Sequence, residues 1–210
     1  MFGLLVAIGL VGLLPLAVVT MTGFLKISVV LFLVRNALGV QQTPPNLVLY
    51  GIALVLTVYV ITPLLSEMSG RLQEAQIEFQ NAEELMRAAQ IVEAPLKQHL
   101  LEFTHPEERR FFLDGTARLW PENAQQSVRD DDLSILVPAF VASELTRAFE
   151  IGFLLYLPFL VIDVVVANVL MTLGMIMVPP VLISIPLKLL LFVAIDGWSR
   201  LLHGLILSYA

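Results

Sequence analysis

Four stretches of this chain are apolar over roughly the length of a bilayer, and a strongly acidic segment separates the second from the third. They run from Phe2 to Met21, Leu47 to Leu65, Ile151 to about Leu173, and Val181 to Leu207. A hydrocarbon core of ~30 Å takes ~20 helical residues to cross. Inside it the backbone must satisfy its own N–H and C=O groups, so such segments fold as helices. A fifth apolar run, Ile27 to Val34, is too short to span and reads as a buried or interfacial helix. No alternating strand pattern of useful length occurs, and the fold expected is all-α. It consists of kinked hydrophobic helical hairpins with a polar, acidic helical insert.

Composition agrees with that constraint. Hydrophobic residues make up 58% of the chain and charged ones 14%, against about 25% charged in soluble domains. The net charge of −6 is concentrated: residues 66–132 hold 14 of the 18 acids and 7 of the 12 bases. Three regions follow: hydrophobic helices with a hairpin over 1–65, the acidic insert over 66–132, and hydrophobic helices again over 133–210. Nothing here is basic enough to hold nucleic acid. Cysteine is absent, which removes disulfides and thiolate chemistry. No Lys or Arg precedes Lys26, so the first block lacks the charged start of a signal peptide and reads as a retained helix. Lys26 and Arg35, with no acids near them, favour the cytoplasmic side for the first connection and the far side for the insert.

Several local features are legible. In "LGVQQTPPN", Gly39 suits the left-handed residue that ends a helix, Thr43 can cap the next and Pro44 suits its first turn. Phe24–Leu38 and Leu47–Leu65 are therefore expected to form an antiparallel helical hairpin. In the insert, Leu72, Ala75, Phe79, Ala82, Met86 and Ala89 recur at helical spacing on one face. Pro95 and the turn before Pro106 should divide that helix into shorter ones. Asp132 or a neighbour should cap the helix that follows "RDDD".

The apolar blocks carry charges that lipid would penalise. Asp163 lies in "FLVIDVVVANV", and Lys188 and Asp196 lie in "PLKLLLFVAIDGW". A charge at mid-bilayer costs about 3 kcal/mol on insertion scales, so these side chains should face protein or water. Asp196 and Arg200 stand at i,i+4 and suit a surface pair. Lys188 has no acid within one turn, which leaves Glu144 and Asp163 as candidate partners. Prolines at 15, 63, 158, 179, 180 and 186 can kink their helices. Between the last two blocks, residues 171–180 read "MTLGMIMVPP", an uncharged turn with Met171, Met175 and Met177 before two prolines. Met there either fills uneven gaps in a tight turn or supplies a soft apolar lining.

The stretches "RNALGVQQTPPN", "LVPAFVASELTRAFEIGFLLYLPF", "VLMTLGMIMVPP" and "PLKLLLFVAIDGW" resemble the export-apparatus protein of bacterial type III secretion, the SctR family, whose flagellar relative is FliP. The resemblance implies a ring of five copies that makes, with two small hydrophobic subunits, a portal for unfolded export substrates. It implies further contacts with export-apparatus and basal-body proteins. It also implies an inner-membrane location, with the assembled ring displaced towards the periplasm. On the family's pattern Met171, Met175 and Met177 form a methionine gasket, with Ile176 where relatives often carry another Met. Glu144 and Lys188 would pair between neighbouring subunits. Asp163, Asp196 and Arg200 are expected as intramembrane or buried charges.

Catalytic signals are missing. There is no phosphate-binding Gly-x-x-x-x-Gly-Lys loop, no His-Glu-x-x-His pair and no Ser or Thr beside a His-acid grouping. No cofactor or metal is expected, and the chain does not read as an enzyme. The competing class is a proton- or ion-coupled transporter subunit using Asp163, Lys188 and Asp196 as a relay.

Overall fold

A computed structural model describes residue 12 and residues 15–40, 42–77, 81–125 and 128–210. Every regular element among them is helical: α1 (Pro15–Met21), α2 (Phe24–Ala37), α3 (Asn46–Glu74), α4 (Ala82–Phe103), α5 (Pro106–Leu119), α6 (Glu122–Gln125), α7 (Leu133–Thr172), α8 (Val181–Ala194) and α9 (Gly197–Leu207). Most of the first apolar block, Phe2 to Met21, lies outside the described residues. Among the described residues two helices, α3 and α7, are long and apolar enough to cross a membrane, and the count rises to four if each bent pair is one span. Those pairs are α1 with α2, bent by 77°, and α8 with α9, bent by 62°.

The chain divides into two compact units, whose boundaries fall inside α2, α3 and α7. The first comprises residues 1–25 and 57–145 and contains the acidic insert. Its centre is Leu100 of α4 against Leu136 and Phe140 of α7, with Met21, Leu96 and Leu133 around them. Asn81 caps α4 by accepting from the Glu84 N–H at 2.9 Å, and Glu83 and Glu84 complement the positive helix start. The turn between α4 and α5 is tied to α7 through Ser143. Its hydroxyl accepts from the His105 N–H at 2.9 Å and donates to the Ala139 carbonyl at 2.8 Å. Pro106 opens α5 at a position where a missing N–H costs nothing, as expected.

Three expectations for this unit are corrected. The apolar face drawn from Leu72 to Ala89 is not one helix: α3 ends at Glu74, Gln76 has φ 52°, and Asn81 starts α4 afresh, while Phe79 lies outside the described residues. Residues at helical spacing survive such a break because spacing does not register backbone direction. Pro95 does not divide α4, which runs on for eight residues to Phe103. Pro95 is itself buried, and packing of the surrounding turns at Leu96 and Leu100 offsets the lost hydrogen bond. Asp132 does precede α7, but its carboxylate turns back and accepts from the Arg129 N–H at 2.8 Å.

The second unit comprises residues 26–56 and 146–210. The expected hairpin is present: Phe32 of α2 meets Tyr50 of α3 edge to face at 5.0 Å. Arg35 closes the turn, donating to the Pro44 carbonyl at 3.1 Å and the Asn46 Oδ1 at 2.7 Å. Gly39 takes φ 75°, which favours glycine, and a Cβ there would press on the Ile185 side chain at 3.1 Å. Thr43 and Pro44 lie further ahead of the helix than expected. The first α3 amides bond instead to the Pro45 carbonyl. The last apolar block is broken as well. Asp196 adopts the left-handed φ of 53° between α8 and α9, so 181–207 is a bent pair and not one continuous span.

Candidate functional site

The loop between α7 and α8 is built by local rules. Gly174 has φ 73°, its N–H donates to the Met171 carbonyl at 3.0 Å, and the Met175 N–H donates to the Leu170 carbonyl at 2.9 Å. That pair of bonds closes a helix C-terminus and satisfies carbonyls that would otherwise be orphaned. At the other end the Pro180 carbonyl accepts from Ile183 and Ser184, so α8 begins where the prolines lack an N–H that no helix bond would use. The double proline thus starts a helix, and Gly174 stops one. On either side of Gly174, ahead of the prolines, stand the expected gasket residues. Met177 is 97% and Ile176 85% exposed, with Met171 and Met175 also uncovered. Met171 sits in the last turn of α7 and the other three on the loop after it, all four without burial.

A second cluster lies in the same unit. Lys188 on α8 is 4% exposed. Its ammonium donates to Asp163 Oδ2 at 2.6 Å and to the Ala37 carbonyl at 3.0 Å. Ala37 is the last residue of α2, so the cation meets a carbonyl at the negative end of a helix. One side chain therefore joins α2, α7 and α8. The acid that Lys188 finds within its own chain is Asp163, which has 35% of its side chain exposed. Glu144, the other candidate, lies fully buried in α7 of the first unit.

Asp196 and Arg200 are both exposed in the chain. The expected bridge between them does not form: only a backbone bond, Arg200 N–H to the Asp196 carbonyl at 3.1 Å, links the two. Asp196 lies in the left-handed break, and its position is no longer one turn down a continuous helix. Among the described residues no grouping of three or more His, Cys, Asp or Glu side chains has the geometry of a metal site.

Sequence reasoning passed over two residues. Gly174 carried the signal for the loop's geometry, a glycine just past an apolar helix. Lys26 was used only for orientation. It is 1% exposed, with its ammonium 3.4 Å from the centre of the Tyr209 ring. Such a cation–π contact is favoured when desolvated, but no local pattern announces a contact between chain ends.

Two long apolar helices, bent apolar pairs and charges satisfied between helices define a multi-pass membrane protein. The FliP family model matches residues 7–205, and the chain belongs to that family. It is 57% identical over 198 residues to the probable translocation protein y4yL of Sinorhizobium fredii, covering 94% of this chain and 89% of that one. Identity is 48% over 206 residues to Yop proteins translocation protein R of Yersinia pestis, covering 98% and 95%. It is 46% over 202 residues to the harpin secretion protein HrpW of Pseudomonas syringae pv. syringae, covering 96% and 97%. The chain is a multi-pass inner-membrane component of the type III secretion export apparatus, and the names of these three relatives describe translocation and secretion.

Proposed function

We propose that the chain is the ring-forming core subunit of the type III secretion export gate. Copies of it, five by family resemblance, surround a path for unfolded protein substrates together with two small hydrophobic subunits. Met171, Met175, Ile176 and Met177 narrow that path. The acidic insert, residues 66–132, stands on the periplasmic side, towards which the ring is displaced. The observation that carries this reading is the near-complete exposure of Ile176 and Met177 on a loop with a built start and stop. An uncovered apolar tip is unfavourable for a lone chain, whereas several tips meeting around an axis exclude water. Methionine is unbranched and soft, so such a constriction can yield to varied polypeptides, and apolar constrictions gate by dewetting.

Glu144 and Lys188 are assigned to neighbouring subunits in this reading. Lys188 uses two of its three N–H groups within the chain, which leaves one for a neighbour's carboxylate. Both residues are buried in the single chain, so the pair requires the helices carrying them to shift as the ring closes. The portal is tested by photo-crosslinking from position 177 in cells holding a stalled export substrate. Adducts at 177, and none from the exposed face of α3 at Val55, support a lining role. Absence of adducts at both 175 and 177 removes it.

A further inference from the structure

The bend between α8 and α9 leaves an apolar pocket of about 220 Å³, entirely within the second unit. Val34 of α2, Leu155 and Phe159 of α7, Phe192 of α8 and Leu201 of α9 line it, and Arg200 stands among them as its charged member. Gly197 at the bend is held against Phe192, where a Cβ would fall 2.4 Å from the ring, so the pocket's shape is set by close packing. The exposed Arg200 side chain makes no ion pair or hydrogen bond among the described residues. Trp198, two residues before it, packs edge to face on Phe192 at 5.3 Å. Tryptophan collects at the membrane–water boundary, a depth that suits a guanidinium among headgroups and an apolar hollow open to acyl chains.

We propose that this pocket holds part of an acyl chain of an anionic phospholipid whose phosphate rests on Arg200. The charge complement selects the lipid. A cation beside an apolar hollow has no side-chain partner among the described residues, and a phosphate meets the guanidinium fork in two hydrogen bonds. Basic pockets between membrane helices bind anionic headgroups in this way. A zwitterionic lipid fills the hollow equally well but offers no net negative charge.

The test uses the full chain in vesicles of phosphatidylcholine with added brominated phosphatidylglycerol or brominated phosphatidylcholine. Trp120 is changed to Phe, leaving Trp198 as the sole tryptophan of the chain's two. Bromine on the acyl chains should quench Trp198 more strongly in the anionic lipid at equal mole fraction. Arg200→Gln should cut that preference about fivefold, the weight of one cation at an anionic surface, and Arg200→Lys should retain most of it. Leu155→Phe, which fills the pocket, should reduce quenching by both lipids. Equal quenching by the two headgroups, or a preference untouched by Arg200→Gln, overturns the proposal. So does a Trp198 shielded from both lipids whose assembly with other subunits is lost in Arg200→Gln, the result expected if a partner's acidic side chain fills the site.

Discussion

Removing the carboxylate of Asp163 should destabilise the second unit by more than its partial exposure suggests. In Asp163→Ala the Lys188 ammonium keeps the Ala37 carbonyl but loses its counter-charge, at a site where lysine is 4% exposed. Breaking a buried pair from one side costs about 3–5 kcal/mol. Exposed pairs contribute only about 0–1 kcal/mol. Because the Asp163 side chain is 35% exposed and its partner's 6%, a loss of about 2–3 kcal/mol is expected, between those limits. Lys188→Met should cost less, about 1–2 kcal/mol, since the carboxylate left behind reaches solvent and only the Ala37 carbonyl is abandoned in the interior. The double variant Asp163→Leu with Lys188→Met should return to within about 1 kcal/mol of the wild type, because apolar replacements of a buried pair are often near neutral. Reversible unfolding in mixed detergent micelles, followed by far-ultraviolet circular dichroism, measures all three. If Asp163→Ala lies within about 0.5 kcal/mol of wild type, or the double variant is no more stable than that single one, the cation is not held as argued.

Gly174→Ala should destabilise the α7 terminus by about 1–2 kcal/mol through left-handed backbone strain alone, since a Cβ there meets nothing within 4 Å; faster hydrogen exchange at the Met175 amide would register it. Glu144→Ala should leave the ring scarce on native gels while the subunit still inserts, and rings as abundant as wild type would remove the intersubunit pair. His99 on α4 packs against Phe103 and Phe140, and burial pushes its pKa below 6.5 despite the opposing pull of Glu102. The folded state therefore favours the neutral ring, so this contribution is intact above 6.5 and fades as pH falls from there through the folded value. Protection of the α4 amides, taken relative to intrinsic exchange at each pH, should fall on acidification from about pH 7.5 to 5, and His99→Phe should flatten that dependence; identical profiles would contradict it. Arg35→Ala should loosen the first hairpin by about 1–2 kcal/mol, the loss of two hydrogen bonds from a charged donor, visible as faster proteolysis of the turn around Gln42.

Local chemistry made the helical class, the hairpin around Gly39, the Pro106 start and the apolar loop of Met171 to Met177 legible in the sequence. Each is decided within a few residues, by a backbone angle, a missing N–H or a run of side chains too apolar for water. The same local reasoning misjudged Pro95, because a buried proline is carried by neighbours from elsewhere in the chain. It also drew Val181 to Leu207 as one span, because hydropathy does not record the turn at Asp196. Lys188 shows where sequence reasoning ends. Its unusual position could be read, but its acid lies 25 residues away and its carbonyl 151. What the amino-acid order determined by itself was that this lysine needed compensation; only the packing of α2, α7 and α8 decided which groups supply it, since a charge in an apolar interior is settled by distance in space.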